Sequence, residues 1–302
     1  MQEQNVANIP LAKTQGDAKN TSRISGQKHR NIREAMEMAM HAIFLLCGVV
    51  AVGFVLLISI YLIVSGIPAI REVGLVDFLF GQRWAPTNKQ DPAYGILPFI
   101  LTSVYGTFGA ILIGVPLGIL CAVFLAKIAG KRTASVVSGV VSLMSGIPSV
   151  VYGLVGMIII VPTVREVFGL PDGANLFSAI LVLAVMILPS VISVSETAIR
   201  AVPREYEEAS LALGATKTET IFKVTLPAAK SGILASVVLG IGRAIGEAMA
   251  VMMVVGNQAR VPDSIFKGVR TLTTNIVLEM GYATDLHREA LIATGVVLFV
   301  FI

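Results

Sequence analysis

The stretch that decides the fold is MAMHAIFLLCGVVAVGFVLLISIYLIVS, residues 38–65, which contains no lysine, arginine, aspartate or glutamate. A helix needs about 20 mainly apolar residues to cross the hydrocarbon core of a bilayer, whereas the apolar core of a cleavable signal peptide has only about 7–15. The stretch is therefore predicted to be an uncleaved membrane helix, with bounds 38–66. The polar and basic residues before it, 1–37, are predicted to form a cytoplasmic tail.

The composition of the whole chain agrees with a membrane location. Hydrophobic residues make up 55% of the 302 residues and charged residues 14%, and the mean hydropathy is +0.81. A soluble domain is nearer a quarter charged, so this chain has more apolar surface than it can hide from water. These values exclude a soluble globular protein, a disordered chain, a nucleic-acid-binding protein and a secreted disulfide scaffold. Most of the chain is therefore predicted to lie in the bilayer.

Further apolar runs predict a polytopic all-α protein. The spans predicted after the first cover residues 96–126, 134–161, 176–199 and 231–256, and the run 134–161 is interrupted at Gly146 and Pro148. The final run, Ala290–Ile302, would be about 20 Å long as a helix, too short for a core of about 30 Å. Either residues before Ala290 extend this helix or the natural sequence continues beyond Ile302, and the second alternative is favoured. Six transmembrane helices are predicted, the sixth of them truncated.

Lysine and arginine residues predict the orientation of the chain. If the N-terminus is cytoplasmic, the inner segments hold fourteen basic residues and the outer segments eight. Cytoplasmic loops carry an excess of basic residues, so the N-terminus is predicted to be inside. The segments 67–95 and 257–289 are then extracytoplasmic and long enough to present a surface to a partner protein. Trp84 and Tyr94 are interpreted as anchors at the membrane interface.

The cytoplasmic segment 200–230 is longer than a connection between two membrane helices needs. Pro203 suits the start of a helix, and Gly214 is placed to end it. Thr216 and Glu219 have the spacing of a capping box and predict a second helix start, which Pro227 would stop. Two short surface helices joined at a glycine predict a docking element for a partner.

Two charged residues lie inside the fifth predicted span. Arg243 and Glu247 are four residues apart, which predicts one shared helix face. A charge at the bilayer centre costs about 2.5–3.5 kcal/mol on insertion scales, so such residues normally line a substrate path. The donor geometry of a guanidinium suits an oxyanion, and a carboxylate can accept a hydrogen bond from the O–H group of a protonated oxyanion. The pair therefore predicts an anion path, with a purely structural ion pair as the alternative.

The interruption of the third predicted span is flanked by hydroxyl groups. Non-helical backbone at membrane depth is tolerated where it lines a cavity or is buried in protein. The hydroxyls of Ser145, Ser149 and Tyr152 are therefore candidates to face the anion, although they could instead bond to freed backbone groups. Cysteine, histidine and acidic residues form no cluster at metal-ligand spacing, and no GxxxxGK[ST] loop occurs. No metal, no cofactor and no enzymatic activity of the chain itself are predicted.

The docking element resembles the EAA loop of the permeases of binding-protein-dependent ABC importers. The residues that match the loop's E-A-A, G and I-x-L-P positions are Glu208, Ala209, Ser210, Gly214, Val224, Leu226 and Pro227. Serine replaces alanine at 210 and valine replaces isoleucine at 224. The resemblance implies a type I importer permease fold over residues 96–302, in which the loop docks on a separate ATPase subunit.

Two further motifs, Ser145–Gly153 and Arg243–Gly246–Glu247, are similar to the permeases of the phosphate-specific transport (Pst) system. The continuation AMAVMMVVGN, residues 248–257, is most similar to the C-type subunits, with Ala248 where threonine is usual. The resemblance implies an ATP-driven importer of inorganic phosphate in the plasma membrane of a prokaryote. It also implies an A-type permease as heterodimer partner, two ATP-binding subunits and an extracytoplasmic phosphate-binding protein.

Two other functions remain open at this point. The first is an ABC permease for another oxyanion, such as sulfate or molybdate. The second is an ion-coupled secondary transporter with Glu247 as its proton-linked carboxylate, which leaves the docking element unexplained.

Overall fold

The computed structural model describes the backbone of residues 14–302 and the side chains from residue 36 onwards. The beginning of the predicted tail 1–37 lies outside the described residues. The described chain is mostly helical, which confirms the all-α fold class. The described residues divide into two compact units, one that ends at Tyr61 and one that covers Leu62–Ile302.

The first helix is longer at both ends than the span predicted for residues 38–66. Helix α1 covers Thr14–Val73, and its apolar part, Met36–Val73, is long enough to cross a membrane. In the first unit, large apolar side chains such as Phe44 and Leu45 are exposed, as expected of residues that face lipid. In the second unit, Ala69 is fully buried, and a Cβ at Gly66 would lie 3.0 Å from the Cα of Ala293. This packing explains why the helix does not end at residue 66.

The segment after α1 folds into a short helix and a hairpin. Helix α2 covers Leu75–Phe80, and strands β1 (Trp84–Ala85) and β2 (Ala93–Tyr94) pair antiparallel, with Trp84 opposite Tyr94. Trp84 is buried, its indole Nε1–H donates to Glu279 Oε2 at 2.9 Å, and its ring meets the ring of Phe99 edge-on. The prediction of an interfacial anchor is therefore wrong for Trp84, because this side chain fills a core instead.

The third predicted span, 134–161, is two separate helices. Helix α3, Leu97–Val123, continues as a π turn over Phe124–Ile128 and is followed by α4, Lys131–Gly146. After Ile147 and Pro148, helix α5 (Ser149–Val155), a π turn (Gly156–Ile160) and α6 (Val161–Phe168) form one continuous rod. The break has a local cause, since Pro148 lacks an amide hydrogen and disfavours the helical conformation at Ile147, which is extended.

The second half of the chain contains the helices of the docking element and the fifth span. Its helices are α7 (Leu176–Arg200), α8 (Arg204–Ala212), α9 (Lys217–Thr220), α10 (Leu226–Ala228), α11 (Lys230–Gly246), α12 (Met249–Val254), α13 (Leu272–Glu279) and α14 (Asp285–Phe301). A third π turn, Ile221–Thr225, joins α9 to α10. Helix α14 begins five residues before the predicted run Ala290–Ile302, so residues before Ala290 do extend this helix.

Helices α3 and α7 pack closely through small residues. A Cβ at Gly114 would lie 2.9 Å from the carbonyl oxygen of Ala184 and 2.8 Å from Ile187, and one at Gly118 would lie 2.7 Å from Val191. Because lipid gives no hydrophobic drive between helices, close backbone approach is how membrane helices gain packing energy. Helix α7 is the centre of the main core, and most of its residues are buried.

Four helices of the described chain are long and apolar enough to cross a membrane. They are Met36–Val73, Leu97–Ile128, Ser149–Phe168 and Leu176–Arg200. The pair Lys217–Ala228 and Lys230–Gly246, bent by 70°, makes a fifth if it is counted as one span. Helix α14 has 17 residues and is about 26 Å long.

A second core contains a buried polar network. Glu279 accepts hydrogen bonds from Trp84 and from Arg270, and its Oε2 lies 2.8 Å from Nε2 of His287. Arg270 also donates to the carbonyl of Asn257 at 3.1 Å and lies 6.0 Å from the centre of the Phe99 ring. The network ties the hairpin to the N-terminus of α3 and to helices α13 and α14.

Candidate functional site

The fifth predicted span breaks at Glu247. Helix α11 ends at Gly246, Glu247 has an extended backbone (φ −75°, ψ 124°), and α12 begins at Met249. The Glu247 carboxylate accepts a hydrogen bond from the amide of Ala250 at 2.9 Å and so caps α12. In a continuous helix the Glu247 carbonyl would accept a hydrogen bond from a backbone amide. Here it accepts a hydrogen bond from the hydroxyl of Thr273 at 2.8 Å. The predicted shared helix face of Arg243 and Glu247 is therefore wrong, because the helix stops between them.

Arg243 is half-buried near the end of α11. Its Nη1 donates to the hydroxyl of Ser190 on α7 at 3.1 Å. Within the described part of the chain this is the only hydrogen bond of the guanidinium, and Glu247 is not within 4.0 Å of it as an ion pair. A guanidinium has five N–H donors, so most of its donor capacity is not used by described residues. Such a group can bind an anion.

The hydroxyls predicted at the first break have different partners. Ser145 donates to the carbonyl of Val141 at 3.2 Å, and Tyr152 donates to the carbonyl of Met144 at 2.7 Å. Both hydroxyls thus satisfy backbone groups of α4 near its end. Ser149 is half-buried, and its hydroxyl has no hydrogen-bond partner in the described chain.

The two breaks are brought together where α5 packs against α12. A Cβ at Gly153 would lie 2.8 Å from the Cα of Ala250 and 2.9 Å from the sulfur of Met253, so the backbones are in close contact. The residues after Pro148 and after Glu247 therefore share one region of the fold. Sequence spacing gives no signal for this contact, because the two segments are about a hundred residues apart.

A small cavity beside Glu247 is also lined by four hydroxyl residues that the sequence analysis missed. They are Ser103, Thr107, Thr271 and Thr273. The Ser103 hydroxyl accepts a hydrogen bond from the amide of Leu272 at 3.0 Å. Ser103 and Thr107 are hydroxyl residues inside an apolar run, a signal that also occurs wherever serine or threonine bonds to its own helix, and Thr271 and Thr273 lie in a polar segment where hydroxyls are ordinary.

The docking element has the predicted order of helices. Helix α8 begins after Pro203 and ends near Gly214, which has a positive φ of 89°. Thr216 and Glu219 form the predicted capping box. The Glu219 carboxylate accepts hydrogen bonds from the backbone N–H and the hydroxyl of Thr216, and these bonds lower its pKa, with a further contribution from Lys223. The second helix ends at Ala228, one residue after the predicted stop at Pro227, and the chain bends by 70° before α11.

The residues that match the EAA loop lie on and between these helices. Glu208 and Ala209 are exposed on α8, and the hydroxyl of Ser210 lies 2.9 Å from that of Thr220 on α9. The remaining matched residues follow in the turn and the second helix: Gly214, Val224, Leu226 and Pro227. Nearby apolar side chains are exposed, notably Leu213 at 90%. An exposed leucine between two helices gives the element an apolar contact surface.

Comparison with known proteins identifies the family. The family described as "Binding-protein-dependent transport system inner membrane component" matches residues 114–302. The chain belongs to this family.

Relatives and a solved structure agree with that assignment. The chain is 40% identical over 275 residues to the probable ABC transporter permease protein YqgH of Bacillus subtilis, covering 90% of this chain and 89% of the relative. It is 34% identical over 242 residues to the phosphate transport system permease protein PstC of Pasteurella multocida, covering 74% and 75%. An inward-facing structure of the MetNI methionine ABC transporter is similar with a TM-score of 0.52 and 23% identity, covering 68% of this chain and 87% of that chain.

Family membership confirms several predictions. The chain has the type I ABC importer permease fold and is a membrane component, not itself an enzyme. A permease of this family works with an ATPase and a binding protein.

Proposed function

We propose that this chain is the C-type permease subunit of an ATP-driven importer of inorganic phosphate. The observation that carries the proposal is the half-buried guanidinium of Arg243, whose one hydrogen-bond partner among the described residues is Ser190. The relatives named as phosphate permeases support the same substrate. Phosphate is an oxyanion, and a guanidinium binds oxyanions with charge-assisted hydrogen bonds.

Glu247 is proposed to favour a protonated anion. Its Oε1 caps α12, and its Oε2 makes no hydrogen bond with described residues. Phosphate still carries a proton near neutral pH, and this O–H can donate to a carboxylate. The negative charge also lowers the positive potential near Arg243, so that a passing anion is not held too tightly. Ser149 is proposed as a third contact on the path, whereas Ser145 and Tyr152 would first have to release backbone carbonyls.

The segments of the chain that contact each partner protein are also proposed. The segment from Glu208 to Pro227 is proposed to dock on the ATPase, of which the importer would have two copies. The N-terminus is proposed to be cytoplasmic, and the segments 67–95 and 257–289 to face a phosphate-binding protein outside. An A-type permease is proposed as the heterodimer partner.

Replacing Arg243 with glutamine tests the proposal. Each lost charge-assisted hydrogen bond is worth about 1.5–3 kcal/mol, so two of them lower phosphate uptake on the order of 100-fold or more. Uptake of labelled phosphate is measured in proteoliposomes that contain this chain, the A-type partner, the ATPase and the binding protein. Arg243→Lys is the matched control, because it keeps the positive charge and loses the planar guanidinium that donates two parallel hydrogen bonds. Normal uptake by Arg243→Gln, in a complex that assembles fully, would refute the role of Arg243.

Two conditions in the same assay separate the alternatives. An excess of unlabelled sulfate or molybdate should leave phosphate uptake unchanged, and strong competition would favour the permease for another oxyanion. Omission of ATP or of the ATPase should abolish uptake. Transport by this chain alone would favour the secondary transporter instead.

A further inference from the structure

Helix α8, the π turn after α9 and the π turn after α3 meet at the carboxylate of Glu207. We infer that Glu207 is a positioning residue that transmits the movement of α8 to the transmembrane helix α3. The inference rests on the proposed docking of the ATPase on the segment 208–227, because the second half of α8 belongs to that segment. Glu207 precedes Glu208 and is not one of the residues that match the EAA loop.

The contacts of Glu207 reach across the fold. Its Oε1 forms an ion pair with Lys127, 80 residues away, and accepts the hydroxyl of Thr225 at 3.2 Å. The Lys127 side chain is 15% exposed and that of Glu207 is 25% exposed, so the ion pair is largely shielded from water. Breaking a shielded pair leaves an unpaired charge, and for this reason the two side chains are expected to move together.

Both partners of Glu207 come from π turns. Lys127 lies in the turn Phe124–Ile128 at the end of α3, and Thr225 lies in the turn Ile221–Thr225 after α9. A π turn bonds residue i to i+5 and is rare, and within helices such turns occur frequently at functional sites. The extra residue in each turn changes the direction of the side chains that follow. Here both turns contribute a side chain to the same carboxylate oxygen.

A continuous path of packed residues runs from this junction to the proposed anion site. The π turn that contains Lys127 directly follows α3. Gly114 and Gly118 of α3 lie against the backbone and side chains of α7. Arg200, at the end of α7, also donates to the carbonyl of Leu125 at 2.8 Å. Further along α7, Ser190 holds Arg243. A displacement of α8 that pulls on Lys127 therefore shifts the pair α3–α7 and with it the support of Arg243.

The decisive variant is Glu207→Gln in the complete importer. Glutamine keeps an acceptor for Thr225 and removes the charge that pairs with Lys127. The matched control is Glu166→Gln, which removes the same charge from an exposed position on α6, outside the docking element. We expect Glu207→Gln to bind the ATPase and hydrolyse ATP as the wild type does, while phosphate uptake per ATP hydrolysed falls at least tenfold. Glu166→Gln should behave as the wild type.

A second measurement does not depend on the substrate. A cysteine at Val150, placed in a Cys47→Ala, Cys121→Ala background, is labelled with a membrane-impermeant maleimide with and without ATP and vanadate. We expect the nucleotide-dependent change in labelling rate to disappear in Glu207→Gln and to persist in Glu166→Gln. The exchanged pair, Lys127→Glu with Glu207→Lys, should restore part of the change.

The outcomes separate the inference from the proposed function. If Glu207→Gln retains both the uptake per ATP and the labelling change, or if it loses ATPase binding in proportion to uptake, the transmitting role is wrong. If the wild-type complex carries no phosphate, the proposed substrate fails, and the labelling experiment still decides the role of Glu207.

Discussion

Removal of the Glu279 carboxylate should destabilise the second core strongly. Glu279 is 7% exposed and is shared by Arg270, His287 and the indole of Trp84. In Glu279→Ala, Arg270 loses its carboxylate partner, and Trp84 loses the acceptor for its only donor. The same change tests whether this polar network holds the hairpin against α13 and α14.

The expected magnitude follows from the contacts that remain. Breaking a buried ion pair by removing one partner costs about 3–5 kcal/mol. Arg270 keeps its bonds to the Asn257 carbonyl at 3.1 Å and to Asn275 Oδ1 at 3.0 Å, which places the loss at about 3 kcal/mol. The unpaired indole N–H adds about 1 kcal/mol at the lower limit for a buried unsatisfied donor. A total of about 4 kcal/mol corresponds to a fall in melting temperature of roughly 8–16 °C.

The assay uses the single tryptophan of the chain. Thermal unfolding of the purified chain in detergent is followed by the emission of Trp84, which is also the residue that loses its partner. We expect Glu279→Ala to shift the emission of the folded state to longer wavelength and to lower the melting temperature by the amount above. The control is Glu166→Ala on α6, because Glu166 is an exposed acidic residue. A loss of stability below about 1 kcal/mol, equal to the typical effect of any substitution, would refute the reasoning.

Two further predictions concern packing and capping. Gly114→Val should cost about 1–3 kcal/mol, because its Cβ would lie 2.9 Å from the Ala184 carbonyl. Gly139→Val, where a Cβ meets open space in the described structure, is the control, and equal melting temperatures of the two variants would contradict the packing argument. Thr216→Ala should cost about 0.5–2 kcal/mol of local helix stability and raise the lowered pKa of Glu219 part of the way to its usual value. Since the folded-state pKa is lowered, the capping box of the wild type contributes fully above the usual pKa of about 4.3 and is lost as pH falls through the lowered pKa. Hydrogen-exchange protection of residues 217–220, measured between pH 6 and pH 3, checks both statements, and protection that does not depend on pH would contradict them.

Much of the fold could be predicted because its causes are local. The first break was predicted at Gly146 and Pro148, and Pro148 removes an amide hydrogen and disfavours the helical conformation of Ile147. Pro68, Pro116 and Pro189 lie inside continuous helices, so a proline alone does not decide a break. The capping box at Thr216 and Glu219 and the positive φ at Gly214 likewise follow from residue types at short spacing. The predictions of span ends were less accurate, as for α1 and α14, because packing of Gly66 on Ala293 extends a helix that hydropathy alone would end.

The candidate site shows the opposite case at Glu247. No proline follows Gly246, and the spacing of Arg243 and Glu247 is that of neighbours on a helix. The break exists because Thr273 binds the Glu247 carbonyl and the Glu247 carboxylate caps α12. The first of these bonds comes from a segment 26 residues away, and no local pattern predicts it.

The amino-acid sequence by itself determined that the chain has several apolar helices long enough to cross a membrane, that a charged pair lies in one apolar run and that a two-helix element precedes this run. These properties depend on transfer free energies and on backbone preferences, which each residue has before the chain folds. Only the tertiary structure decided that Trp84 is buried on Glu279, that Lys127 meets Glu207, and that Arg243 and Glu247 do not share a helix face. Those outcomes depend on contacts between residues far apart in the sequence, and such contacts exist only after the helices have packed.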